Sequence, residues 1–291
     1  PSVPVEFASG ADPASAAALA KKADVALVFA YQWESEGMDL PNLSLPENQD
    51  ALIEQVAEAN PRTIVVLETG TAVTMPWIDK VSGVLEAWYG GSKGADAVAD
   101  IFFGDVNPSA KLPITFPRSE ADLPHPQVVM PPPRQRGRPA KPTFSVHYDE
   151  GLKVGYKWYD AEKKPVLFPF GFGLTYTTYA YSDLKASPGS GNEVTVTFTV
   201  KNTGSRAGAE IAEVYAALPE SAGEPPKRLV GWSKVTLSAG ESKQVSVTID
   251  PKSLSVYDES ANGWKLIPGS YTILAGGSSQ DLPLVEKVSL R

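Results

Sequence analysis

Apolar positions in the first hundred residues fall into two alternating forms. Residues 12–23, DPASAAALAKKA, are rich in Ala and Lys behind an Asp able to cap a helix. They lead into DVALVFAY (24–31), a continuous apolar run of the kind expected of a strand covered on both faces. The pair then repeats. Residues 45–61 space Leu52, Ile53, Val56 and Ala57 at helical intervals, with Pro46 near the first turn and Pro61 just past the end, and RTIVVLETG follows as a second buried strand. MPWID (75–79) precedes a third strand, GVLEAWYG (83–90), after which GSKGADAVADIFFGD predicts a helix of small residues closed by Gly104. Strands separated by helices and short loops predict an α/β domain with a largely parallel sheet, a three-layer sandwich whose sites gather outside the carboxyl ends of the strands.

The pattern changes at Asn107. NPSAKLPITFP is extended, and DLPHPQVVMPPPRQRGRPAKPTF carries prolines at a density no helix tolerates, which predicts a long surface loop. YDEGLKVGYKWYD and PVLFPFGFGLTYTTYAY have no clear period and are expected to be connecting structure laid over the first domain. Beyond Tyr181, EVTVTFTVKNTG, EIAEVYAAL, KRLVGWSKVTLSAGESKQVSVTID and GSYTILAGG put apolar residues at every second position, with Asn-Thr-Gly, Ala-Gly and Pro-Gly breaks between them. Such alternation predicts two sheets facing inward with hydrophilic outer faces. The expected order is therefore α/β followed by all-β: an α/β sandwich over 1–117, a Pro-rich loop and connecting segment over 118–180, and a β-sandwich over 181–291.

Composition narrows the function classes. At 291 residues the chain fits about two domains of roughly 100–200 residues each. Its 26 basic residues against 34 acidic ones give a net charge of −8, a field that disfavours general binding to nucleic-acid backbones or anionic membranes and suits a neutral substrate. The longest apolar stretch, ADVALVFAY, falls far short of the roughly 20 residues a membrane helix needs. No cysteine occurs, so disulfides and thiolate metal sites are excluded and the redox compartment is left open, a periplasmic or secreted setting being favoured over a cytoplasmic one. An opening without an initiator methionine, inside a strand-like pattern, is expected of a fragment.

The chemistry concentrates in YQWESEGMDL (31–40), which places Glu34, Glu36 and Asp39 beside Tyr31 and Trp33 just past the first strand. In an extended segment Glu34 and Glu36 point to the same side, so if both line a cleft their repulsion pushes one toward the protonated form. The aromatics limit water and offer flat faces for a sugar ring. A short acidic stretch after a strand is otherwise an ordinary solvated loop. PRQRGRPAKP (133–142) contains Arg-Gly-Arg-Pro, the core of an AT-hook, but a single copy in an acidic chain is better explained as a subunit contact, an overhang of the cleft or a cleavable loop. Gly91 and Gly94 lack the GxGxxG spacing, and His125 and His147 keep no ligand-like spacing with an acid, so neither a dinucleotide cofactor nor a metal is expected. Trp88, Trp158, Trp232 and Trp264 fall inside apolar patterns and are expected in cores or interdomain packing.

Several ordered motifs carry a family resemblance. SEG followed by Asp39, LSLPENQDALIEQVAEANPRTIVVLETG, MPWID, EAWYGGSKGADAVADIFFGDVNPSAKLPITFP, YDEGLKVGYKWYD and FPFGFGLTYTTY together resemble the C-terminal α/β domain of glycoside hydrolase family 3. VKNTGSRAGAEIAEVYAAL and PKRLVGWSKVTLSAGESKQVSVTID resemble the fibronectin type III-like domain that many members append to it. The resemblance implies a retaining β-glycosidase, most often a β-glucosidase, acting on terminal β-linked glycosides. It also implies a nucleophilic Asp on a (β/α)₈ barrel that has no counterpart here. The family's acid/base Glu lies in a loop where Glu precedes Gly, and Glu36-Gly37 matches it, with Glu34 as the alternate. Trp33 and Glu34 are the expected sugar contacts. Related motifs often continue Glu-Gly-x-Asp-Arg, whereas Leu40-Pro41 follow Asp39 here, so the Arg is missing and Asp39 is left as a turn cap. The implied partners are a β-linked oligosaccharide and the barrel, with a homo-oligomer left open. The competing class is a non-catalytic carbohydrate-binding or scaffolding module in which the tail does the recognition.

Overall fold

A computed structural model describes residues 3–36, 40–127 and 147–291, so the turn cap expected at Asp39 and the Arg-rich stretch 133–142 lie outside the described residues. The chain divides into two compact units. One takes residues up to Phe102 together with residues 117–127, and the other takes Phe103–Phe116 and His147–Arg291.

The first unit is built on three parallel strands, β1 (Ala26–Tyr31), β2 (Thr63–Glu68) and β3 (Gly83–Glu86), in the order β1-β2-β3. Ala26 pairs with Thr63 and Tyr31 with Glu68, while Leu67 pairs with Glu86, so the three strands end side by side. Helix α1 (Pro13–Ala20) starts where the Asp12 carboxylate accepts the Ala14 N–H at 3.2 Å, with Pro13 at its first position. Helix α2 (Gln49–Ala59) buries Ile53, Val56 and Ala57, three residues on one helical face, against the sheet. Just past its end, the Asn60 amide donates to the carbonyls of Ala20 and Ala23, both at 2.9 Å, which ties the end of α1 to the end of α2. Trp77 of MPWID is fully buried, and its indole N–H donates to Asp50 Oδ1 at 2.7 Å. That contact supplies the partner a buried indole requires, although burial still pushes the Asp50 carboxyl above its ordinary range. Helix α3 (Gly94–Phe102) follows β3.

One expectation fails in this unit. Strand β1 is buried on one face only, with Ala26, Val28 and Ala30 inside and Leu27, Phe29 and Tyr31 exposed, Phe29 by 53%. The continuous apolar run therefore does not mean two-sided burial among the described residues.

Strand β4 (Phe116–Pro117) begins on the last residue of the second unit's first segment, the same unit holds helix α4 (Tyr156–Ala161) and β5 (Val166–Phe168), and within it the Phe116 and Phe168 rings meet edge to face at 6.3 Å. Its β-sandwich has one sheet of β6 (Tyr179–Pro188), β7 (Val194–Asn202) and β10 (Ser242–Ile249), in the order β10-β7-β6. The other holds β8 (Gly208–Ala217), β9 (Arg228–Leu237), β13 (Gly269–Gly276) and β14 (Leu284–Leu290), in the order β14-β13-β8-β9. A separate ladder joins β11 (Ser255–Asp258) to β12 (Gly263–Leu266). Strict alternation on β7 sends Val194, Val196, Phe198 and Val200 into a core completed by Val245, Val247, Ile249, Tyr271 and Ile273.

Strand β8 breaks the alternation, because Glu213, Val214, Tyr215 and Ala216 are all buried. The connecting segment is the cause. Tyr156 packs edge-on against Tyr215 at 5.7 Å and tilts against Phe170 at 5.0 Å, and the Glu213 carboxylate lies where a Cβ on Gly171 would be, 2.7 Å from its Cδ. Segments expected to lie over the first domain thus cover the outer face of β8. Lys111 Nζ reaches the inner-face Glu210 at 3.0 Å and the Gly277 carbonyl at 3.0 Å, and Tyr181 donates its hydroxyl to the same Glu210 oxygen at 2.6 Å. Neither partner of the ion pair is more than 10% exposed.

The tryptophans also depart from expectation. Trp88 and Trp158 are half-buried, while Trp232 and Trp264 are 65% and 53% exposed. Period-two patterning on an antiparallel sheet records an inner face, and both exposed residues fall on outward positions of β9 and β12.

Candidate active site

The carboxyl ends of β1, β2 and β3 converge three short segments: 31–36, 68–71 and 86–90. Gln49 fixes the start of the first. Its Oε1 accepts the Tyr31 N–H at 2.8 Å and its Nε2 donates to the Tyr31 and Pro46 carbonyls at 2.8 and 3.1 Å, so the chain leaves β1 in a set direction. Tyr89 then braces the same exit from the other side, donating its hydroxyl to the Gln32 carbonyl at 2.6 Å.

The residues singled out in the sequence occupy three different environments. Trp33 is 75% exposed, an aromatic face held in solvent next to the strand end. Glu34 is half-buried and folds back onto Gly70, and its Oε1 is buried with no hydrogen-bond partner among the described residues. Glu36 is exposed, at the last described position before Gly37. Glu34 and Glu36 are therefore brought to one strand end but not to one surface.

Gly70 makes room for Glu34. A Cβ there would overlap the Glu34 carboxylate, lie 2.8 Å from its Cδ and approach Tyr89 Cε2 to 3.0 Å. Gly70→Ala is expected to destabilise the first unit by about 1–3 kcal/mol, the usual cost of overpacking, and to expel Glu34 from its niche. Denaturant titration together with a crystal structure of the variant checks both parts. An unchanged midpoint with Glu34 in place would contradict this packing.

Sequence reasoning passed over Glu86. It stands at the end of β3, half-buried, with its carboxylate accepting the Trp88 N–H at 3.0 Å and the Thr69 hydroxyl at 3.3 Å. Burial pushes its carboxyl up to about 7, with the bonds from Trp88 and Thr69 opposing the shift. The phenol of Tyr89 is raised as well, first by burial and then by the charges of Glu34 and Glu86. One signal could have found Glu86: an acid that closes an otherwise apolar parallel strand, at the edge where sites form in such sheets. Among the described residues no group of three His, Cys, Asp or Glu side chains could hold a metal ion, and no helix is long and apolar enough to cross a membrane.

Comparison with known proteins identifies the family of the domain that carries this strand-end cluster. Residues 6–176 match the glycosyl hydrolase family 3 C-terminal domain, and residues 210–279 match a fibronectin type III-like domain. The chain belongs to glycosyl hydrolase family 3. Among its family 3 relatives, β-glucosidase B of Emericella nidulans is 42% identical over 276 residues, covering 91% of this chain and 32% of the relative. Thermostable β-glucosidase B of Acetivibrio thermocellus is 43% identical over 276 residues, covering 92% and 35%. The crystal structure of DesR, a β-glucosidase from Streptomyces venezuelae in complex with D-glucose, superposes with a TM-score of 0.84 at 40% identity, over 96% of this chain and 35% of that one. This family 3 chain thus spans about a third of the length of the relatives it matches. The resemblance drawn from its motifs, and the order of an α/β unit with a parallel sheet before a fibronectin type III-like sandwich, are both borne out.

Proposed function

We propose that this chain supplies the general acid/base, Glu36, to a retaining β-glucosidase whose nucleophilic Asp resides on a barrel domain outside it. Retaining hydrolysis needs two carboxyl groups roughly 5–5.5 Å apart, one attacking the anomeric carbon while the other protonates the departing oxygen and then activates water. An acid that must meet a carboxylate from another domain has to stand on an accessible loop. Exposure of Glu36 at the carboxyl end of β1, inside the segment that matches the family, carries the proposal. Trp33 beside it offers a ring face to the sugar, and Glu34, held on Gly70, offers a fixed acceptor for a sugar hydroxyl.

The test compares this chain alone with the same chain joined to the preceding barrel polypeptide, on an aryl β-D-glucoside. Turnover is expected only from the joined protein. Turnover by the chain alone would show that the nucleophile lies within these residues and overturn the proposal.

A further inference from the structure

A cleft of about 310 Å³ in the second unit lies between α4, the start of β9, the turn before β11 and strand β12. Its volume is near the lower edge of the roughly 300–1,000 Å³ usual for small-molecule sites. Three cations line it: Lys157, Arg228 and Lys252. Arg228 is already engaged, pairing with Glu224 at 2.6 Å and donating to the Ser255 carbonyl at 2.9 Å. Neither lysine has a carboxylate within ion-pair distance among the described residues, and Lys252, which is exposed, lies instead against the Trp264 indole. Lys157 is half-buried, and its ammonium is pushed below the ordinary lysine value, first by burial and then by Arg228, with Glu224 opposing. Partial desolvation without an ion-pair partner disfavours the charged form of Lys157, and an anion in the cleft would favour it.

The walls add a second requirement. Trp264 presents half of its surface to solvent and is set at 77° to Tyr257, edge to face at 5.6 Å. Lys252 Nζ lies 5.9 Å from the centre of the indole, close to the outer limit of about 6 Å for a cation–π contact, so the ammonium can exchange that contact for an anion. Two hydroxyls complete the lining. Tyr156 accepts the Leu229 N–H at 2.7 Å and keeps its own O–H to donate, and Ser253 is half-buried beside it.

We infer that this cleft binds a uronic acid residue of a glycan, with the pyranose stacked on Trp264, the carboxylate between Lys157 and Lys252, and ring hydroxyls on Tyr156 and Ser253. A bare phosphate would satisfy the lysines but leave the indole uncovered. The site is independent of the Glu36 assignment, because it shares no residue with the strand-end cluster.

Cellobiouronic acid and cellobiose differ by one carboxylate for a hydroxymethyl group and are the matched probes. Calorimetric titration of the whole chain at low salt is expected to give saturable binding of cellobiouronic acid, tighter than cellobiose by at least about tenfold, the worth of one charge-assisted contact. Trp264→Ala and Lys157→Gln should each weaken it by a similar, roughly tenfold factor. Lys252→Gln provides a second charge variant if circular dichroism shows that Lys157→Gln has lost its fold. Equal binding of cellobiose, binding of inorganic phosphate or AMP as tight as that of the uronate, no binding at all, or wild-type affinity in folded Trp264→Ala would each overturn the inference.

Discussion

Glu36→Ala, made in the enzyme completed by its barrel, is expected to slow hydrolysis of alkyl and cellobiosyl β-glucosides by about 10²–10⁴-fold, the usual worth of a positioned general acid/base. An alkoxide leaving group cannot depart without a proton, so loss of the acid falls on the glycosylation step. A dinitrophenolate needs no proton, and with that substrate the first step should survive. Water must then attack the glycosyl enzyme without a base, so the intermediate accumulates and KM falls together with kcat. Glu34→Ala should behave differently. Its side chain is packed on Gly70 beside Tyr89, so its removal empties a niche and loosens the segment 32–36 without selecting between leaving groups. Steady-state kinetics on a series of aryl glucosides of graded leaving-group pKa separates the two. A steep dependence is expected for Glu36→Ala and a slope near the parent's for Glu34→Ala.

Lys111→Met is expected to cost the second unit about 3–5 kcal/mol, the penalty for leaving one member of a buried ion pair uncompensated. Lys111 comes from the extended segment after α3 and neutralises Glu210 on β8, where, among the described residues, the Tyr181 hydroxyl would remain as partner. It serves a second acid as well. Burial pushes the Glu213 carboxyl up to about 7, and the charge of Lys111 opposes that shift along with the Tyr215 hydroxyl, which donates at 2.5 Å. Removing the ammonium leaves two neighbouring acids, Glu210 and Glu213, without their cation. Replacing both partners, Lys111→Met with Glu210→Met, should restore part of the loss, because the unpaired Glu210 charge is gone, while the Tyr181 hydroxyl, the Gly277 carbonyl and Glu213 still lack the partners they had. Denaturant unfolding followed by tryptophan fluorescence measures both. A single variant within about 1 kcal/mol of the parent would mean that water reaches the pair and that it is worth no more than a surface bridge.

What the sequence discloses depends on how local the cause is. Helix α1 is legible because Asp12 and Pro13 act within one turn, and β7 is legible because Val194 to Val200 alternate against a sheet buried on one side. The open face of β1 is not. Leu27, Phe29 and Tyr31 are as apolar as covered residues, and side-chain identity does not say whether a layer lies over it. Tertiary cover also hides the two-sided burial of Glu213 to Ala216, since Tyr156 and Gly171 reach β8 from far along the chain. The Lys111–Glu210 pair, 99 positions apart, leaves no pattern at all. At the candidate site Glu36 is legible only through its motif, because nothing in ESEG distinguishes an acid/base from a solvated loop. Glu86 is not legible, because an acid ending a strand has the sequence of an ordinary strand terminus and its enclosure by Trp88 and Thr69 is tertiary.

The central claim, that Glu36 is the acid/base, is tested most directly by the product formed with added azide. Glu36→Ala in the completed enzyme, given 2,4-dinitrophenyl β-D-glucoside and sodium azide, is predicted to accelerate and to release β-D-glucosyl azide, because a small anion entering the space left by the carboxylate attacks the covalent intermediate without needing a base. Glu34→Ala under the same conditions is predicted to release glucose only. If β-glucosyl azide formed with Glu34→Ala and not with Glu36→Ala, the proton would be carried by the side chain packed on Gly70, and the assignment of Glu36 would be wrong.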